Sequence, residues 1–585
     1  MPSTPIHYHV GLEQPQDHEF QVSVAVPPLP DRKNLTFTLP AWAPGSYLIR
    51  DFSRHVYDLE FHVGGHRVEA TRLDKQSWRV STYGDAVEVR YRVFAFEASV
   101  RTSFLDDRRA FWNGTNLFFR VDEEADRPCQ IMVSAPAGWK VSTPLATHKG
   151  PRFHAANYDE LVDAPFEVGT HQLFRFRVEK TWFEVALAGK TNADIPRLLD
   201  MLSAIVRATG KLFGGFPFAR YLFIIHALPS RGGGLEHANG CTLDIAGHAF
   251  EDEKAYQAFA ELAAHEFFHA WNVKRIRDRV LGPFDYTKEN YTRLLWFHEG
   301  FTSYMESIIL LRASLLSKDR YLKDLAEAWE RYVQRPGRNV TPVSELSFEA
   351  WIKQYKPAEN HINRMVSYYE KGEWAGLVLD LLLLQATGGK FGLPRLFEQL
   401  WKKHARIGHP IDEAILRSEC ATIAGKPMND FFHRYIHGTR EPPVTQLLRE
   451  VGILVESKSP AEKEDHDPTK RRRLLGYSGL SLQGQGPSQG ALVKNVVPGS
   501  PSHNAGLTFG DELVAVGGIR VSAATAVKRL ADYSPKDQVQ VTFFRGDTLR
   551  ECAITLAKNP DRCFAFTRDL KATAAAKLLR RGWLG

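Results

Sequence analysis

Apolar positions recur at every second residue through the first part of the chain. Phe20-Gln21-Val22-Ser23-Val24-Ala25-Val26 and Val87-Glu88-Val89-Arg90-Tyr91-Arg92-Val93 alternate in this way, which is the period of strands with one buried face. Gly and Pro break the runs at Pro27-Pro28, Pro44-Gly45, Gly64-Gly65 and Pro136-Ala137-Gly138. The pattern predicts a β-sandwich-like domain over residues 1–172. Beyond Asn192 the period lengthens to that of helices. Ile195 to Phe213 has helical spacing and stops at Gly214-Gly215. A strand-like run, Tyr221-Leu222-Phe223-Ile224-Ile225, and a glycine-rich loop at Arg231-Gly232-Gly233-Gly234 follow. Helical patterns through Asp285–Arg312, Arg320–Gln334 and Gly372–Gln385 then predict a helix-rich domain, so a second domain spans 173–445. Residues 446–473 are charged, include Pro460 and Pro468, and lose the apolar period, which predicts a linker. A compact βαβ-containing module over 474–560 and a tail over 561–585, with a short basic helix, complete a multidomain α+β chain.

Composition narrows the classes. At 585 residues, with 43% hydrophobic and 24% charged residues, the chain is long enough for several buried cores. The five cysteines are scattered, giving no disulfide framework and fitting a reducing, cytoplasmic setting. No basic and apolar leader opens the sequence, and the best apolar run, Leu377 to Leu384, is interrupted by Asp380, so no membrane span is expected. A net charge of +7 is small for this length. Its two clusters, Lys274-Arg275-Ile276-Arg277 and Lys470-Arg471-Arg472-Arg473, are isolated rather than interleaved with aromatics, which argues against nucleic-acid binding.

The chemistry concentrates in His265-Glu266-Phe267-Phe268-His269, inside an Ala-, Leu- and Glu-rich stretch without Gly or Pro. Residues four apart on a helix share a face, so His265 and His269 can point at one Zn²⁺ ion. Glu266 is then carried past the metal, where it can take a proton from a zinc-bound water. A catalytic zinc needs a third protein ligand. Glu299, 30 residues beyond His269 and flanked by Trp296, Phe297, Gly300 and Phe301, supplies a carboxylate in an apolar setting; its neighbour His298 is the alternative. Upstream, Gly233 and Gly234 allow close backbone approach to a substrate, and Glu236 offers an acidic group for a free ammonium. Tyr369, in Ser367-Tyr368-Tyr369-Glu370-Lys371-Gly372, offers a phenol for an oxyanion. Taken by themselves, Glu236 reads rather as an incidental acid in a surface turn and Tyr369 rather as a core tyrosine.

Together these segments resemble the gluzincin aminopeptidases, with a thermolysin-like catalytic domain, and within them the glycyl aminopeptidase family. Pro40 to Asp51 resembles that family's N-terminal signature, His265 to Arg277 its zinc helix, and Trp296 to Thr302 its third-ligand segment. The resemblance implies a zinc aminopeptidase with one Zn²⁺ per chain that removes a small first residue, Gly or Ala, from peptides with a free N-terminus. It also implies that Glu236 binds the substrate amine and that Tyr369 stabilises the oxyanion. His237 departs from the broader group, which has Asn there. The module after residue 474 resembles a PDZ domain, with Gly479, Leu480, Ser481 and Leu482 as its carboxylate loop for a peptide C-terminus.

Overall fold

A computed structural model describes residues 4–147, 150–230, 232–459, 476–484 and 490–585. The chain forms two compact units, residues 1–316 with 393–423 and residues 317–392 with 424–585.

In the first unit, alternation becomes sheet. Ile6–Gly11 pairs antiparallel with Glu19–Val26 and parallel with Cys129–Ser134 inside an eight-stranded sheet. Phe20, Val22, Val24 and Val26 face inward, as do Val87, Val89, Tyr91 and Val93 of the neighbouring strand. Two four-stranded sheets add to the same core. Trp112 stacks on Phe166 at 4.9 Å and meets Phe20 at 5.2 Å, and Phe37 meets Phe61 at 5.7 Å. These aromatic pairs contribute beyond their buried area.

A five-stranded sheet follows, in the order Gln172–Val178, Thr181–Ala188, Arg220–Leu228, Gly240–Ala246, Gly234–His237. Its three central strands run parallel and are buried along nearly their whole length because both faces are covered. Gly234–His237 is antiparallel to its neighbour and lies at the edge. The helix Glu253–Phe268 begins at Asp252, whose side chain accepts from the Lys254 and Ala255 amides. Its buried Ala260, Ala263 and Ala264 keep the packed face narrow. Phe213 stacks on Trp271 at 4.5 Å, and Phe397 packs on Phe268 and Phe297 at 4.9 and 5.3 Å. The helix expected from Asp285 starts later: a single π-helical turn, Trp296–Gly300, leads into Phe301–Arg312.

In the second unit, helices Lys318–Val333 and Tyr368–Ala386 accompany a six-stranded PDZ-like sheet that carries the helix Ala523–Ala531 and its own small core. The linker expected over 446–473 is corrected at its start. Residues up to Glu450 continue the helix Val444–Glu450, and Ile453–Lys458 is a strand; the rest of that call, from 460, lies outside the described residues. The expected tail is also integral to the unit. Cys563–Arg568 pairs with Ile453–Lys458, so the strands bracketing the PDZ-like module join each other. Arg568 forms a two-pronged pair with Asp319 at 2.8 Å, and the closing helix Ala574–Leu584 buries Trp583 against Tyr321.

Trp583→Ala is expected to cost about 3–5 kcal/mol, the usual range for emptying a buried Trp site. A lowered thermal midpoint of the full chain would show it; an unchanged midpoint would mean that the closing helix carries no packing.

Candidate metal centre

His265 lies in the last turn of Glu253–Phe268 and His269 caps that helix. One helical turn separates them, and their ring centroids are 4.7 Å apart. Glu299 comes from the π-helical turn, buried at 2% exposure among Trp296, Phe297 and Phe301. A π turn inserts one residue into helical phase and is frequent at functional sites. The Glu299 Oε2 atom lies 3.3 Å from His265 Nε2 and 3.2 Å from His269 Nε2. Zinc bonds of about 2.0–2.2 Å in tetrahedral array set donors about 3.3–3.5 Å apart. The donor set therefore fits zinc in both identity and spacing.

The other ring nitrogens are held from behind. His265 Nδ1 donates to Glu306 Oε2 at 2.8 Å, and His269 Nδ1 donates to the Asn272 carbonyl at 2.6 Å. Such partners fix the tautomer and turn each Nε2 lone pair toward the centre. The Asn272 amide donates to the carbonyls of Phe297 and His298 and to Thr302 Oγ1, at 3.1, 3.3 and 3.1 Å. One side chain thereby fastens the histidine helix to the segment that bears Glu299. His298, the alternative ligand, pairs its Nδ1 with Asn272 Oδ1 at 3.0 Å and stands outside the cluster. Burial pushes its pKa down to about 3, so it stays neutral.

Charge organises the same centre. Burial works against ionised Glu299, yet the adjacent His269 and His265 hold its carboxyl well below the usual range. Burial likewise opposes protonated His265, but hydrogen bonds to Glu299 and Glu306 hold it well above its ordinary value. Glu266 stands apart: burial pushes its carboxyl up to about 7, with the two histidines pulling the other way.

Two glycines make room for the carboxylates of Glu266 and Glu236. A Cβ on Gly234 would stand 2.1 Å from Glu266 Oε1, and one on Gly45 would stand 2.5 Å from Glu236 Oε1. Gly45 also sits at φ +86°, a left-handed conformation that favours glycine. Gly233 lies beside the Arg101 guanidinium, with Nη1 3.5 Å from its notional Cβ. Glu236, on the edge strand, brings a carboxylate oxygen into a group with Glu266 and His269 that spans no more than 4.8 Å. Among the described residues, neither Glu236 Oε1 nor Glu266 Oε2 has a hydrogen-bond partner, although both are buried. A buried carboxylate oxygen without a donor is costly unless a ligand meets it.

Gly45 reaches this place because the loop that bears it is tied to the stretch between the second histidine and Glu299. The Ala41 amide donates to Tyr286 O at 2.8 Å, and Trp42 Nε1 to Asp285 O at 3.0 Å. Tyr286 is itself buried in the core of the N-terminal domain.

The remaining expected residues lie in the second unit. Tyr369 opens the helix Tyr368–Ala386, stacks on Tyr368 at 4.7 Å, and has its hydroxyl 3.5 Å from Tyr355 OH. Its neighbours are structural. Glu370 pairs with Arg335 at 3.2 Å, and Lys371 donates to the Arg338 and Thr341 carbonyls at 2.8 and 2.9 Å. In the PDZ-like module Gly479 has φ +78°, and a Cβ there would strike Ser500. Leu480, Ser481 and Leu482 lie in the strand Leu480–Gly484, which pairs with Ala491–Val496.

Sequence reasoning passed over Glu306, Asn272, Gly45 and Arg101. Glu306 had a signal, since it lies seven residues past Glu299 and hence on the same helix face. The others come from distant segments.

Residues 7–170 match the peptidase M61 N-terminal domain, residues 258–374 the M61 glycyl aminopeptidase and residues 452–556 a PDZ domain. An aminopeptidase N family protein from Idiomarina loihiensis is similar throughout, with 29% identity, 99% of this chain and 100% of that one covered, and a TM-score of 0.91. An M1 zinc metallopeptidase from Deinococcus radiodurans is a distant likeness, with 15% identity over 76% of this chain and 95% of that one and a TM-score of 0.48. No curated protein matches the sequence. The fold and its matching domains are those of a metallo-aminopeptidase, a hydrolase of peptide bonds. The chain carries both domains of the M61 glycyl aminopeptidase family, followed by a PDZ domain.

Glu306→Ala is expected to weaken metal binding about 10–100-fold, the usual cost of losing a partner behind a ligating histidine. Competition with a chelator measures it; unaltered affinity would leave Glu306 as a bystander.

Proposed function

We propose that the protein is a zinc aminopeptidase that removes a small N-terminal residue, Gly or Ala, from peptides. His265, His269 and Glu299 hold one zinc ion. Glu266 is the general base, Glu236 binds the substrate amine, and Tyr369 stabilises the oxyanion. One observation carries the reading: two buried carboxylate oxygens without partners, on Glu236 and Glu266, converge beside the ligand triad. Zinc, when bound, acidifies water and polarises the scissile carbonyl. Glu266 then takes the water's proton and passes it to the leaving amine.

Glu236 decides where on a peptide the enzyme acts. A carboxylate with an open oxygen accepts the charged hydrogen bonds of an ammonium group, which an acylated N-terminus lacks. The edge strand supports the rest of the substrate. The Asp244 amide donates to Gly233 O at 2.8 Å, which sets the phase of the ladder. Gly233, Leu235 and His237 therefore turn their backbone groups inward, and Gly234 and Glu236 turn theirs to the open edge. An extended peptide pairs with such an edge. Beside Glu236 lies a cavity of about 230 Å³, lined by Gly45, Tyr47, Asp163, Asn239 and Phe284 among others. That volume is below the usual ~300–1,000 Å³ of ligand pockets, which suits a small first residue. Tyr369 enters through its motif, Tyr-Glu-Lys-Gly. The strand Leu480–Gly484, with Gly479 before it, is the proposed receiver of a peptide C-terminus at the PDZ domain. Among the described residues no helix is long and apolar enough to cross a membrane, and five cysteines, none of them in a disulfide, suit a reducing cytoplasm.

Gly- and Ala-p-nitroanilide should be cleaved while their N-acetylated forms are not. Glu266→Gln should lower kcat by about 10²–10⁴-fold with metal content retained, whereas His269→Ala should lose the metal. Cleavage of the acetylated substrates would overturn the exopeptidase reading.

A further inference from the structure

The glycine strand has a cation at one end that the cycle above does not use. Arg101 stands in a loop of the N-terminal domain, and its Nη2 donates to the Gly234 carbonyl at 3.1 Å. Its guanidinium lies against Gly233, where the missing side chain leaves room for it. The loop is built to hold it there. The Arg101 amide donates to Ser99 Oγ at 3.0 Å, and its carbonyl accepts from Asn116 Nδ2 at 3.3 Å. The adjacent Val100 carbonyl accepts from Asn113 Nδ2 at 2.9 Å, and both asparagines are buried at a helix N-terminus. Among the described residues Arg101 pairs with no carboxylate, and its one side-chain hydrogen bond to the protein is to Gly234. A half-buried guanidinium with four further N–H donors, held beside a substrate-pairing strand, is poised for an anion.

Direction follows from the strand. The substrate amine belongs at Glu236 and the scissile carbonyl beside Glu266, which lies over Gly234. The residue after the scissile bond therefore runs toward Gly233 and Arg101. An extended dipeptide spans at most about 7 Å. Glu236 and Gly233 are three positions apart, roughly 10 Å along a strand, and the Glu236 and Arg101 side chains close the difference from either end. We propose that Arg101 receives the free C-terminal carboxylate of a dipeptide, so that the substrates this site prefers are dipeptides gripped at both charged ends. The inference rests on the aminopeptidase reading and names its substrate class. The planar fork of arginine matches a carboxylate in two hydrogen bonds, while an amidated terminus offers one neutral acceptor.

The test uses the full-length, zinc-loaded protein. kcat/KM is measured on Ala-Ala, on Ala-Ala amide and on Ala-p-nitroanilide, for the native chain, Arg101→Met and Arg101→Lys. The native enzyme should prefer the free carboxylate to the amide by about tenfold or more. The preference should fall toward one in Arg101→Met and return in part in Arg101→Lys. The ratio is the readout, because a merely structural loss at Arg101 would lower both rates together. A native ratio near one, or a preference that survives in Arg101→Met, overturns the proposal while cleavage of the anilide leaves the aminopeptidase reading standing. Failure to cleave all three substrates overturns both.

Discussion

The first unit turns on the burial of one carboxylate. Glu299 is 2% exposed and faces two imidazole nitrogens at 3.2 and 3.3 Å. An ionised carboxylate in that setting is tolerable only with positive charge beside it. The neighbouring imidazoles, held above their ordinary pKa by the same carboxylate, meet that need, and the spacing of the three donors fits a metal ion in the same role. The surrounding structure serves this arrangement. The π turn aims the carboxylate, Asn272 fastens the two bearing segments together, and Glu306 and the Asn272 carbonyl orient the rings.

Around that centre the fold works by close approach. Glu266 and Glu236 stand where any side chain on Gly234 or Gly45 would be. The glycines are thus a consequence of packing two carboxylates against backbone, and they leave each an open oxygen. Gly45 belongs to the N-terminal domain, so that domain reaches the Glu236 carboxylate directly. The stretch between His269 and Glu299 explains the arrangement, because Asp285 and Tyr286 there hold the Gly45-bearing loop through backbone hydrogen bonds.

In the second unit the PDZ-like module is tied in at both ends. The strands before and after it pair with each other, and the second packs against the helix Lys318–Val333 through Glu330 and Asp319. Asn363, on the short helix His361–Arg364, donates to Asn495 Oδ1 and Val496 O of the module at 2.8 and 3.0 Å. The segments read from sequence as linker and tail are therefore parts of the unit. Their pattern was weak because Ile453–Lys458 is short, charged on its exposed face, and completed by a strand more than a hundred residues later.

The amino-acid sequence by itself determined the parts that a single element can place. Four-residue spacing on a helix puts His265 and His269 on one face, with Glu266 between them, because helical period is local. The aromatic flanks of Glu299 marked a buried carboxylate for the same reason. Alternation marked the strands of the N-terminal domain. Only the tertiary structure decided that Gly45 would cover Glu236, that Arg101 would lie on Gly233, and that Asn272 would bolt Glu299 to the histidine helix. Each of these contacts joins segments far apart in the chain, and no local period encodes which of them meet. Packing brings them together, and burial then makes their unpaired polar atoms consequential.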